Sequence, residues 1–155
     1  MTWSLRLSSG DLSISGPGGY GTVTGTNKLI QDLRNWILEP RGSDPSSPDY
    51  GSTIDGGALP DGSWVEPAIG GLATPEQLMT IEAEIRRILA AYQQQQADRI
   101  NQEVILYAGK NTYGSGEILS AINDVQATQI LTTLFVTVSI TTADGDNLTF
   151  TQPLS

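Results

Sequence analysis

The stretch LTTLFVTVSITTADGDNLTFT, residues 131–151, reads as two antiparallel strands and the turn between them. Thr133, Phe135, Thr137 and Ser139 alternate with Leu134, Val136, Val138 and Ile140, and a period of two sends the aliphatic set to one face of a sheet. Asp144-Gly145-Asp146-Asn147 carries the residue types that tight hairpin turns use, and Leu148-Thr149-Phe150-Thr151 returns. A sheet with one apolar face needs a covering layer, so the remainder of the chain is read for helices.

Two segments have the helical period. Thr74-Pro75-Glu76-Gln77 is a capping box with proline at the first helical position and an acid in the first turn. It opens a helix expected from Pro75 to about Gln96, with Leu78, Ile81, Ile85, Ile88, Leu89 and Tyr92 as its apolar stripe. Glu82, Glu84, Arg86 and Arg87 fall on its polar side, and Gln93–Gln96 reads as a solvated final turn. Upstream, in NKLIQDLRNWILEPRGSDPSSPDYGS, residues 27–52, Leu29, Ile30, Leu33, Trp36 and Ile37 make one apolar face. Thr26 or Asn27 is the expected cap, and Pro40 stops the helix near Glu39, because the residue before proline leaves the α region.

Between the second helix and the hairpin, Glu103–Ala108 reads as a short strand. Gly116–Gln129 fits either a helical face or, over Val125–Thr128, an extended segment, and the extended reading is preferred. Residues 3–24 alternate loosely, with Trp3, Leu5 and Leu7 before Ser9-Gly10-Asp11 and Leu12 and Ile14 after it, which suggests two short strands or an extended arm. The expected fold is therefore α+β, a mainly antiparallel sheet with two packed helices and an irregular, glycine- and proline-rich first half. Residues 1–26 form an arm or short strands and residues 27–155 the domain proper.

Composition removes several kinds of chemistry. The 155 residues include neither cysteine nor histidine, which excludes disulfides, thiolate ligation and the commonest general base and metal ligand. A net charge of −9 with eight Lys and Arg argues against a nucleic-acid surface, which needs clustered cations. No apolar run approaches a membrane span and the first residues lack a signal-peptide core, so a protein made and kept in a cytoplasm is expected. Gly16-Pro17-Gly18-Gly19-Tyr20-Gly21 matches neither phosphate-binding glycine pattern and reads as a turn. Asp55–Asp61 lacks the alternating acids of a calcium loop, and no cofactor is expected. The long connection from Gly42 to Ala73 has no helical period, and Trp64, Val65 and Ile69 are anchors for it, against the core or a neighbour.

Two uses of the remaining polar residues compete. Glu39, with Asp44 and Asp49 near it in sequence, is the candidate set for a carboxylate pair cleaving glycosidic bonds, but nothing around it builds an aromatic sugar cleft. The other use is docking: Glu39, Arg41, Asp49 and Tyr50 at the end of an amphipathic helix offer charge and buried aromatic area to a partner. The C-terminal hairpin could exchange a strand with another chain.

The first helix followed by Arg41, Asp44-Pro45 and Pro48-Asp49-Tyr50-Gly51-Ser52, then a capped second helix and a strand-rich end with Thr142-Ala143-Asp144-Gly145, resembles the phage tail baseplate wedge proteins that initiate the tail sheath. These are often called lysozyme-like and have relatives in type VI secretion machines. The resemblance spans roughly residues 27–150. It implies a non-enzymatic subunit of a virion tail baseplate, assembled in the host cytoplasm in multiple copies around the tail axis. It would join wedge proteins to the first sheath ring, share strands with the sheath, and lie near the tail tube or hub. In that family a Glu-Pro-Arg motif between the second helix and the next strand docks the helical core bundle of the wedge. Here that place reads Ala97-Asp98-Arg99-Ile100, of which only Arg99 and Ile100 match; the resemblance implies docking contacts shared between Asp98, Arg99 and Ile100 and the Arg41–Tyr50 loop, with Glu39-Pro40-Arg41 out of register with the motif. A lysozyme-type glycosidase and an adaptor of a non-contractile tail are the alternative readings.

Overall fold

A computed structural model describes residues 2–8, 11–12, 21–59, 61–65, 67, 72–109 and 111–154. Ile14, Ile69 and all but the last residue of the Gly16–Gly21 run lie outside them. Short antiparallel pairs come first: β1 (Ser4–Leu5) with β4 (Thr22–Val23), and β2 (Leu7–Ser8) with β3 (Asp11–Leu12). Helix α1 covers Gly25–Leu38, β5 (Gly57–Ala58) pairs with β6 (Trp64–Val65), and helix α2 covers Pro75–Leu106. A single 3-10 turn at Ser115–Glu117 leads into a meander of β7 (Leu119–Ile130), β8 (Thr133–Thr142) and β9 (Asn147–Pro153), in the order β7-β8-β9. The fold is α+β.

The alternation in β8 behaves as the sequence requires. Leu134, Val136, Val138 and Ile140 are buried, while the intervening Thr133, Phe135, Thr137 and Ser139 are half-buried. The turn to β9 has Gly145 at φ +91°, with the Gly145 amide donating to the Thr142 carbonyl. Onto the buried face pack Leu29, Leu33 and Ile37 of α1 and Ile81, Ile85, Ile88 and Leu89 of α2. Burying each such side chain contributes about 1.5–3 kcal/mol.

Helix α1 ends as read, at Leu38 just before Pro40, but its cap is Thr24, two or three residues earlier than expected. Thr24 makes no side-chain cap bond; the first amide, Gly25 N–H, instead donates to the Glu117 carboxylate across 92 residues of sequence. Helix α2 starts on the expected capping box, with both reciprocal bonds between Thr74 and Gln77 present. It then runs ten residues beyond Gln96. Neither Gly nor Pro lies between Gln96 and Leu106, and the helix stops only where Ala108 turns left-handed at φ 54° and Gly109 N–H closes onto the Val104 carbonyl. The strand expected at Glu103–Ala108 is therefore the last turn of α2, because an apolar run this short fits either period. Nor are Gln93–Gln96 a solvated last turn: Gln96 is buried and bonds both the Glu117 carbonyl and the Leu119 amide. The preferred extended reading of Val125–Thr128 is correct, and the strand around it is longer.

Joining β7 to β8 is a two-residue turn in which Leu131 adopts φ 58°. A leucine there meets its own backbone, which Asn tolerates better. Leu131→Asn is expected to stabilise the fold by about 0.5–1 kcal/mol, seen as a higher urea midpoint with an unchanged slope.

Candidate partner-docking site

The residues from Glu39 to Ser52 fold back on themselves. Ser52 N–H donates to the Glu39 carbonyl and Arg41 N–H to the Ser52 carbonyl, so Pro40 and Ser52 form a parallel bridge. This brings Glu39-Pro40-Arg41 beside Tyr50-Gly51-Ser52. Helix α2 clamps the fold-back through its expected polar face. Arg87 donates to the Gly51 carbonyl at 2.9 Å and pairs with Glu84 at 2.8 Å, while Glu84 accepts the Thr53 amide at 3.0 Å. Burial pushes the Glu84 carboxyl up, but the Arg87 and Thr53 donors outweigh it and leave it below its ordinary range. Tyr50 then meets Trp36 edge-on at 4.9 Å, and Trp36 meets Tyr92 edge-on at 5.5 Å. Burial, and then the charges of Glu39, Asp32 and Asp44, raise the Tyr50 hydroxyl above its ordinary value.

Three hollows run along the seam between α1 and α2 and share walls. One of about 320 Å³ is lined by Pro48, Asp49, Tyr50, Gln94 and Asp98. The next, about 170 Å³, adjoins it at Trp36, Tyr50 and Gln95 and reaches Lys28, Asp32 and Arg99. The third, about 470 Å³, continues past Arg99 to Trp3, Glu103 and Thr112. Lys28 and Asp32 pair within the seam, and Tyr92 donates to Asp32 at 3.5 Å. Arg99 donates to the Tyr113 hydroxyl at 3.4 Å, and that bond raises its already high pKa further.

Of the residues singled out from sequence, Asp49, Tyr50, Asp98 and Arg99 line this seam. Ile100 is half-buried on α2 one residue further on. Asp98, Arg99 and Ile100 are helical residues, not the post-helical segment expected, because α2 continues through them. Arg41 is spent inward: its side chain is only 11% exposed and pairs with Asp49 at 2.7 Å. Its Nε is buried with no partner among the described residues. Glu39 is exposed and accepts from Ser43 at 2.9 Å, and Asp44 accepts from Ser46. Each acid of the glycosidase set thus holds its own loop.

Residues that no sequence pattern pointed to organise the rest. Glu117, 2% exposed, accepts from the Thr2 amide and hydroxyl and from the Gly25 and Gly114 amides, at 2.9–3.1 Å. It ties the N-terminal arm, the start of α1 and the approach to β7 to one carboxylate. Along β7, backbone groups are met by α2 side chains. Ala127 N–H donates to Glu82 at 2.8 Å, and Gln93 donates to the Leu119 and Ser120 carbonyls at 3.3 and 2.7 Å. These partners are far apart in sequence, so only the packed helix reveals them.

The other sheet edge, β9, borders an open groove of about 650 Å³ between the arm and α1, lined by Arg6, Leu7, Ile30, Arg34, Leu38 and Gln152. Arg34 stands 5.6 Å over the Phe150 ring. Among the described residues no three His, Cys, Asp or Glu side chains converge as metal ligands, and no helix is long and apolar enough to cross a membrane. No protein-family model, curated protein or solved structure matches the chain.

Proposed function

We propose that the chain is a structural subunit of a phage tail baseplate, joining wedge proteins to the first ring of sheath and starting sheath growth. The observation that carries this reading is the inequality of the two sheet edges. An uncovered edge is a template for another strand. Helix α2 closes β7 with Glu82, Gln93 and Gln96, whereas β9, the other edge of the sheet, reaches at Gln152 a groove with an apolar floor and two arginines. An extended arm of a sheath subunit fits there as a fourth strand, main-chain bonds giving affinity and the groove selecting side chains. The α1–α2 seam, with Tyr50, Asp98 and Arg99 at its walls, is then the face for the wedge proteins, where aromatic and arginine side chains dominate binding.

Arg99→Ala tests the wedge face. The Arg99 side chain is exposed and bonds Tyr113 weakly, so stability should change by no more than about 0.5 kcal/mol. Baseplates carrying the variant should nevertheless fail to grow sheath, and sheaths of normal length contradict the assignment. The same reading expects purified protein to leave the turbidity of a cell-wall suspension unchanged; clearing that Glu39→Gln abolishes would favour the glycosidase.

A further inference from the structure

Leu154 N–H donates to the Leu134 carbonyl and Thr142 N–H to the Asp146 carbonyl, and between these two bonds Val138 stands opposite Phe150. Bonded and unbonded pairs alternate along an antiparallel ladder, so the even-numbered residues of β9 are the ones bonded to β8. Asn147, Thr149 and Thr151 therefore turn their backbone groups to the open edge. Among the described residues no strand pairs with that edge, and it ends at Pro153, which has no N–H to offer. Phe150 and Gln152 are buried on the helix face of the sheet.

Helix α1 runs along β9 in the same direction. Its first turn adjoins the turn before β9, where a methyl group added to Gly116 would meet both Thr26 and Asp144. Further on, Arg34 stands 5.6 Å over the Phe150 ring. Ile30, Arg34 and Leu38 line the groove at four-residue spacing, which is about 6 Å along a helix. Residues on one face of a strand recur at about 6.6 Å, so alternate side chains of an added strand can meet these three in turn.

The charge of the groove is opposite to that of the protein. The chain has 17 acids against eight Lys and Arg, yet the described walls of the groove hold Arg6 and Arg34 and no acid. Lys28, Arg41, Arg86 and Arg87 each have a carboxylate partner, whereas among the described residues Arg6 and Arg34 make no ion pair. Of the acids nearest in sequence, Asp32 is paired with Lys28 in the seam and Glu39 accepts from Ser43. Asp11 stands opposite Ser8 in the β2–β3 pair, and Asp144 and Asp146 lie in the turn before β9. A strand laid across the groove strips water from the Arg34 guanidinium, and a buried charge without a partner is costly. A carboxylate at that place turns the cost into a charge-assisted bond. Elsewhere the net charge of −9 repels acids, so one acid in register is favoured over a run of them.

We propose that the segment added at β9 presents a single carboxylate to Arg34, with apolar side chains two positions to either side of it against Ile30 and Leu38. This rests on strand addition at β9 and says what the added strand is made of: apolar, any, acid, any, apolar. Its main chain is held by Asn147, Thr149 and Thr151, and Arg6 adds positive charge from the arm.

Titration of isotope-labelled protein with the terminally blocked peptide Thr-Val-Thr-Glu-Thr-Val-Thr tests this, beside two companions in which Gln or Lys replaces the Glu. The Glu peptide should shift the Thr149 and Thr151 amide resonances and bind about tenfold more tightly than the Gln peptide; the Lys peptide should not bind. Arg34 is exposed, so its variants should keep the wild-type circular dichroism. Arg34→Gln should bind the Glu and Gln peptides equally, and Arg34→Glu should prefer the Lys peptide. Equal binding of the Glu and Gln peptides by wild type overturns the carboxylate while strand addition stands. Binding of no peptide, shifts confined to other residues, or tighter binding of an oligothymidylate than of the Glu peptide overturns the proposal as a whole. Binding of the Glu peptide at β9 without protection of β9 by sheath supports the proposal and removes the sheath as the occupant.

Discussion

Gly51→Ala is expected to cost the fold about 3 kcal/mol or more, read as a large fall in urea midpoint. Gly51 has φ +90°, and a Cβ on it would stand 2.5 Å from the Glu39 carbonyl oxygen and 2.8 Å from the Pro40 carbonyl carbon and oxygen. All three are backbone atoms already tied by the bridge between Pro40 and Ser52, so no side-chain rotation relieves the overlap. Relief means opening the fold-back, which takes with it the Arg87 bond to the Gly51 carbonyl and the Tyr50 contact with Trp36. Gly62 separates the clash from the left-handed backbone. It has φ +82°, and a methyl group added to it would meet nothing within 4 Å, so Gly62→Ala should cost only about 1 kcal/mol. Equal losses for the two variants would contradict close approach as the reason for glycine at position 51.

Glu117→Ala is expected to cost about 3 kcal/mol, because three backbone N–H groups and the Thr2 hydroxyl lose their acceptor and a carboxylate bond contributes about 1.5–3 kcal/mol where it is buried. Burial raises the Glu117 carboxyl, yet the Thr2, Gly114 and Gly25 donors together leave it below its ordinary range. A carboxyl whose folded pKa is depressed stabilises the protein fully above its unfolded value, near pH 4.3, and loses that contribution as pH falls through the folded pKa. Wild type should therefore lose thermal stability steadily below about pH 4, with Glu84 adding to the effect in the same direction. The Glu117→Ala variant should show a shallower decline. Identical pH slopes in the two proteins would remove Glu117 from the explanation.

Much of this architecture could be read from periodicity. The β8 alternation, the Thr74–Gln77 capping box and the proline stop after α1 are local signals, and each decided its element. Local signals failed where tertiary partners took over. Gln96 looks like a solvent-facing residue by sequence, but it bonds the chain entering β7 and so carries α2 past its expected end. Glu84 and Arg87 look like a surface pair, but they clamp the Gly51–Thr53 backbone. Glu117 follows a glycine-rich segment with no pattern of its own, and the donors to its carboxylate come from Thr2, Gly25 and Gly114. At the candidate site, Asp98, Arg99, Asp49 and Tyr50 were all nameable in advance and meet along one seam. That Arg41 would turn inward to Asp49 was not nameable, since its partner depends on how the loop closes.

The difference between the sheet edges is open to direct measurement by hydrogen–deuterium exchange at single-residue resolution, with and without purified sheath subunit. Amides of Asn147–Thr151 on the open side of β9 should exchange more slowly by tenfold or more once sheath is present, while those of β7 beneath α2 stay unchanged. Unaltered β9 exchange at saturating sheath, or new protection confined to β7, would contradict strand addition at β9.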